Sequence, residues 1–133
     1  MVTPIAPSPL RGARYLLTGA SRGIGALTAQ ALVERGAHVI GVARSRDALE
    51  DLSSRLEPYA QQGGRLSIEV LDLTALKTLS EWAEALEDRY GPLSGVIHNA
   101  GVDDFQPSES MPPEDIQAQV AINLTAPLII NRA

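Results

Sequence analysis

The segment Thr18-Gly19-Ala20-Ser21-Arg22-Gly23-Ile24-Gly25 constrains this chain more than any other. An apolar run, residues 13–18, leads into it, and an amphipathic stretch, residues 24–35, leads out. An apolar run of that length reads as a buried strand, and the stretch after it reads as a helix with Ile24, Leu27, Ala31 and Leu32 on one face. Glycines at a strand-to-helix turn let the backbone bend sharply and let other groups approach it closely. Gly19 allows the turn off the strand. Gly23 allows a bulky anionic group to come near the backbone. Gly25 allows the helix to pack tightly on the strand. The start of that helix offers free N–H groups and a partial positive charge, which suits a phosphate.

The same alternation continues. Gly36 ends the first helix, and residues 38–42 (HVIGV) form a second apolar run. Ser45 stands where it can cap a helix through Leu49, Leu52 and Leu56. Residues 66–71 read as a third strand, 75–89 as a helix stopped by Gly91-Pro92, and 95–98 as a short fourth strand. A polar, proline-bearing loop, residues 102–113, follows. From Glu114 the pattern is helical, with Ile116, Val120, Leu124 and Leu128 at helical spacing, and the sequence reaches Ala133 without a Gly or Pro stop signal. Strand–helix alternation with strands apolar throughout predicts an α/β fold, a Rossmann-type doubly wound parallel sheet. The expectation is its N-terminal part only, about four strands and their helices, truncated in the helix after the fourth strand. Residues 1–12, with three prolines, are expected to be an irregular lead-in, and residues 13–133 an incomplete dinucleotide-binding domain.

Composition narrows the function. The net charge of −5 argues against nucleic acid as a partner. No stretch has the apolar length of a membrane span or the layout of a signal peptide. With no cysteine there is no disulfide frame, Cys-based zinc site or thiol nucleophile. No metal site is expected, and a cytoplasmic location is.

The spacing Gly-x-x-x-Gly-x-Gly after a threonine resembles the short-chain dehydrogenase/reductase family. The resemblance runs from about Arg14 to the C-terminus, and three further landmarks fall in order: Asp72-Leu73-Thr74, Asn99-Ala100-Gly101 and Asn123. It implies a dinucleotide held by Gly19, Ser21, Gly23, Ile24 and Gly25 at its pyrophosphate. Asp72 and Leu73 would lie at the adenine, and Asn99, Ala100 and Gly101 under the ribose. Each landmark also has a plainer structural reading. Asp72 or Thr74 can cap the next helix, Asn99 to Gly101 can be a simple turn, and Asn123 can make one local bond in its helix. His98 reads as a packed strand-end residue.

The end of the second strand reads the adenosine ribose in folds of this kind. An acid there selects NAD, and an arginine favours the 2′-phosphate of NADP. This chain has Val42-Ala43-Arg44-Ser45-Arg46, so the expected cofactor is NADP(H). Arg44 supplies forked charge-assisted hydrogen bonds and Ser45 a further donor, and Arg22 in the glycine turn can approach the same phosphate from the other side, a pair of arginines that resembles the family's NADP-preferring members. Arg46 reads as a surface charge.

The resemblance implies hydride transfer between nicotinamide and a small-molecule carbonyl or alcohol, by an Asn, a Ser, a Tyr and a Lys. Asn123 matches the Asn, which in the family anchors a water in the proton relay. The sequence has no Tyr-x-x-x-Lys: four residues after Tyr15, Tyr59 and Tyr90 stand Gly19, Gly63 and Ser94, and Lys77 is the only lysine. The chain by itself is therefore expected to be inactive, and a full-length parent is expected to be a homo-oligomeric enzyme. The alternative is a non-catalytic dinucleotide-binding or interaction module. A methyltransferase would place an acid where Ala43-Arg44 stands, and an extended epimerase more often carries Gly-x-x-Gly-x-x-Gly.

Overall fold

The computed structural model describes residues 9–103 and 105–133. Of the expected lead-in, residues 1–8 lie outside the described residues, and residues 9–12 form turns. The chain folds as two compact units. One runs to Leu71 and resumes at Leu93–Asn99; the other comprises Asp72–Pro92 and Ala100–Ala133.

The first unit holds four parallel strands, β1 (Arg14–Thr18), β2 (His38–Ala43), β3 (Arg65–Val70) and β4 (Gly95–Ile97), in the order β3-β2-β1-β4. The chain steps outward from β1 to β3 and then returns to the other side of β1. That reversal makes a switch point between β1 and β4, at whose carboxyl end ligands bind in open α/β sheets. Helices α1 (Gly23–Glu34) and α2 (Arg46–Leu56) follow β1 and β2. They close a core of Leu17, Ala29, Val33, Val39, Leu49 and Leu52. Each large side chain buried there contributes about 1.5–3 kcal/mol. β2 is buried at five of its six positions, as a central parallel strand should be.

Local chemistry sets the ends of these elements. Gly36, at φ 87°, stops α1: its N–H reaches the Val33 carbonyl and that of Ala37 the Leu32 carbonyl. The left-handed angle is open to glycine at no steric cost. Ser45 caps α2 by accepting the Ala48 N–H at 3.2 Å, and Asp47 lies in the first turn, where its charge suits the helix dipole.

One expectation about α1 is corrected. The face bearing Ile24 and Leu27 points to solvent, with those side chains 76% and 68% exposed. The buried stripe is Gly25, Ala29 and Val33. Small residues at that spacing let the helix axis lie close to the sheet, and the larger side chains are left outside.

In the second unit the segment expected as one helix is two, α3 (Leu76–Glu84) and α4 (Leu86–Tyr90). The hinge is Ala85, whose ψ of −7° departs from the helical value. The final helical pattern is also divided. α5 (Pro113–Val120) and α6 (Ala126–Arg132) are joined by a π turn, Ala121–Thr125, in which the Ala126 N–H reaches back five residues to the Ala121 carbonyl. α6 packs on α3, with Ala126, Ile130, Leu79 and Ala83 buried. Ile116, Val120, Leu124 and Leu128 stand exposed.

Candidate nucleotide site

The carboxyl ends of β1, β2 and β4 bring most of the sequence-singled residues of the first unit together. Gly19 and Gly23 have φ of 66° and 55°, so the turn needs glycine at both. A Cβ at Gly25 would run into the Gly19 carbonyl oxygen, which is the close approach expected of it. A Cβ at Gly23 would meet nothing within 4 Å, so the backbone there faces open space. Arg22 is the N-cap of α1 in extended backbone, and neither its side chain nor any acid caps the first turn. The N–H groups at the start of this helix are thus left for another acceptor.

β2 reaches the same rim. Val42 pairs with Thr18, and the Ala20 N–H donates to the Val42 carbonyl at 3.1 Å. Arg44 emerges two residues later. Arg22 and Arg44 are both exposed, and among the described residues neither guanidinium is held by a carboxylate. Arg46 differs: it lies 3.7 Å from Glu50 across one helical turn, a surface pair.

Asn99 stitches β4 to β1. Its N–H donates to Thr18 Oγ1 at 3.2 Å, and its amide nitrogen donates to the Gly19 carbonyl at 3.0 Å. The amide thus holds the glycine turn at the edge of the space that Gly25 leaves open.

Sequence reasoning gave Thr18 no role beyond its place in the motif and passed over Gly41. Thr18 is a buried hydroxyl, 2% exposed, that fixes the fourth strand end. Gly41 gives room to the glycine turn, since a Cβ there would stand 3.0 Å from Ala20 Cβ and 3.1 Å from Leu66 Cδ1. An isolated glycine inside an apolar strand was the available signal, because it marks close approach of another segment.

The second unit carries Asp72, Leu73, Ala100, Gly101 and Asn123. Neither Asp72 nor Thr74 caps α3, whose N-cap is Ala75. Asp72 instead accepts from the Thr74 N–H at 2.9 Å and the Thr74 hydroxyl at 2.7 Å, a local turn. Leu73 is buried. Asn123 sits inside the π turn, and its amide is bidentate on one backbone residue. Oδ1 accepts from the Val102 N–H at 2.8 Å, and Nδ2 donates to the Val102 carbonyl at 2.7 Å. A Cβ at Gly101 would stand 3.4 Å from Asn123 Oδ1, so the glycine gives that amide room.

Among the described residues no cluster of acids and histidines could hold a metal ion, and no helix is long and apolar enough to cross a membrane.

A parallel sheet whose strand order reverses beside β1, with a glycine turn and an uncapped helix start at that point, defines a Rossmann-type fold. The chain belongs to the short-chain dehydrogenase family, whose model matches residues 14–133. The gluconate 5-dehydrogenase of Gluconobacter oxydans is 33% identical over 124 residues, which are 93% of this chain and 47% of that protein. A metagenomic short-chain oxidoreductase, solved in complex with NADP, superposes with a TM-score of 0.84 at 33% identity. The match covers 93% of this chain and 55% of that one. A short-chain type dehydrogenase/reductase from Mycobacterium ulcerans gives a TM-score of 0.83 at 29% identity, over 92% of this chain and 45% of its own. The chain spans about half the length of these relatives. The family is one of oxidoreductases that use NAD or NADP.

Proposed function

We propose that these residues are the cofactor-holding part of an NADP(H)-dependent oxidoreductase acting on a small carbonyl or alcohol. The observation that carries the NADP(H) reading is Arg44: an exposed guanidinium at the end of β2, uncommitted to any carboxylate and beside the glycine turn. A 2′-phosphate is the anion that such a group binds with forked hydrogen bonds. Ser45 keeps its hydroxyl proton for the same phosphate, because its capping bond uses only an oxygen lone pair. Gly19, Ser21, Gly23, Ile24 and Gly25 would carry the pyrophosphate on the start of α1, and Arg22 would approach the 2′-phosphate from the side opposite Arg44. Asp72 and Leu73 would meet the adenine, and Asn99, Ala100 and Gly101 the ribose. Residues 13–133 are taken as one dinucleotide-binding part.

The nicotinamide, when bound, supplies the hydride donor or acceptor. The chain's own contribution is to hold the nucleotide at the rim and orient that ring. The Asn123 amide is spent on Val102, so its share in a proton relay falls to its main-chain carbonyl. With no Tyr-x-x-x-Lys in the sequence, these residues alone bind nucleotide without turning over substrate. The exposed row Ile116, Val120, Leu124 and Leu128 supports a homo-oligomeric whole protein.

The test is a fluorescence titration of the natural full-length protein with NADPH and with NADH. NADPH binding about tenfold or more tighter than NADH is the expected result. Equal affinities would remove the 2′-phosphate reading, and binding of neither would remove the nucleotide reading altogether.

A further inference from the structure

Gly41 interrupts a run of β-branched residues on β2, with Val39 and Ile40 before it and Val42 after it. A glycine inside a strand costs stability, because it loses more freedom on folding and packs no side chain. Its backbone has no positive φ, so conformational freedom does not explain it. The group that stands over it does. Ala20, fully buried in the glycine turn, puts its methyl 3.0 Å from where a Cβ on residue 41 would lie. The Ala20 N–H is bonded to the next carbonyl of β2, that of Val42, at 3.1 Å. A packed methyl group and a hydrogen bond thus seat the turn on the strand that leads to Arg44.

We infer that Gly41 is a positioning residue for the nucleotide: it lets Ala20 seat the glycine turn on β2 and so fixes the backbone of residues 19–25 that faces the pyrophosphate. The inference rests on the reading of that turn as the pyrophosphate site. Two features send the strain of a larger residue 41 into the turn. A Cβ there would meet two groups. Leu66 Cδ1, at 3.1 Å, is the far end of a rotatable side chain and can swing away. Ala20 Cβ is fixed to the main chain, so restoring an ordinary contact of about 3.5–4 Å moves the turn itself. β2 does not yield in its place. It is paired along its length with β1 on one side and β3 on the other, and Gly41 itself stands between Leu17 and Ile68.

A shift of roughly 0.5 Å spoils a set of N–H groups aimed at one anion. The pyrophosphate is common to NADPH and NADH. A displaced turn therefore weakens both alike, which separates Gly41 from Arg44, whose loss falls on NADPH alone.

The experiment is a double-variant cycle on the natural full-length protein, with Gly41→Ala, Ala20→Gly and the two combined. Fluorescence titration with NADPH and with NADH reads affinity, and NMR amide exchange reads the turn without nucleotide. Gly41→Ala should weaken both nucleotides by a similar factor, roughly 5–30-fold. It should quicken exchange of the Ala20 amide by roughly tenfold or more. The Leu71 N–H, bonded to the Ala43 carbonyl at 3.0 Å, should keep its protection, since β2 stays in place. The combined variant should bind within about threefold of Ala20→Gly alone, because no methyl is left to displace. Leu66→Ala added to Gly41→Ala should leave affinity low. Rescue by Leu66→Ala and not by Ala20→Gly would put the strain in the core and overturn the inference. Unchanged affinity in a folded Gly41→Ala, or Leu71 protection lost together with that of Ala20, would overturn it as well. If Gly41→Ala does not fold, the combined variant decides. Folding with the affinity of Ala20→Gly supports the inference, and a chain that stays unfolded overturns it. A natural protein that binds neither nucleotide would fail the pyrophosphate reading and this role with it. One that binds both, with no coupling between positions 20 and 41, would fail this inference alone.

Discussion

The two rims of the sheet in the first unit treat their polar groups in opposite ways. At the amino rim Arg14, His38 and Arg65 stand in register on three neighbouring strands. Arg14 Nε and Arg65 both reach His38 Nδ1, at 3.3 and 3.2 Å, and Ser67 meets His38 Nε2 at 2.8 Å. The polar groups there satisfy one another. At the carboxyl rim the first turn of α1 has no side-chain cap, and Arg22 and Arg44 face solvent. Polar groups that close on each other stabilise a fold, and polar groups left open are available to a ligand. The two arginine clusters are therefore different in kind, although a count of charges would merge them.

Substitutions at each rim should divide in the same way. The largest effect is expected from Gly25→Ala, which puts a methyl group into the Gly19 carbonyl and beside the Asn99 amide. A loss of about 2–4 kcal/mol in stability, with nucleotide binding abolished, should appear in denaturant melts and calorimetric titration. Native stability in this variant would show that the turn yields, and the site would be less rigid than described. Next comes Arg44→Ala. It should weaken NADPH binding by about 10–100-fold while leaving NADH within about twofold and the melting temperature unmoved. Equal losses for both nucleotides would place Arg44 elsewhere than at the 2′-phosphate.

The amino rim should answer to pH instead of to nucleotide. Burial first, then the charges of Arg65 and Arg14, pushes the His38 pKa from 6.5 down to about 4. Between those values the unfolded chain binds the proton that the native chain refuses. This share of the stability is complete above pH 6.5 and is lost as pH falls toward 4. Melting temperature measured across that window should therefore drop, and His38→Gln should flatten the drop. NADPH affinity that followed the same titration would break the separation of the two rims. The smallest effect is expected from Ser45→Ala, about 1 kcal/mol of stability from the lost cap of α2, visible as a shift in urea midpoint.

Local spacing made much of the carboxyl rim readable. The glycines of the turn, the cap at Ser45 and the strand–helix order all lie in short windows whose chemistry is self-contained. The amino rim was silent because Arg14, His38 and Arg65 become neighbours only through strand register, across separations of 24 and 27 residues. The buried side of α1 was misread for a related reason. Large apolar residues marked one face, but the sheet takes the small ones, Gly25, Ala29 and Val33. The roles of Asp72 and Asn123 toward a ligand depend on which hydrogen-bond partners their side chains have already engaged, and spacing does not record that.

The pairing of β1 with β4 has a consequence in time. Arg14 waits for Ser94 and Gly19 for Asn99, partners 80 residues downstream. At a synthesis rate of about 5–20 residues per second, the first strand leaves the ribosome roughly 4–16 s before its partner on that side exists. During that interval β1 can pair only with β2, and its other edge carries unmatched N–H and carbonyl groups. Among these four strands the β1–β4 edge is therefore the last to be assembled during translation, and a nucleotide could stabilise the glycine turn there only after β4 has joined.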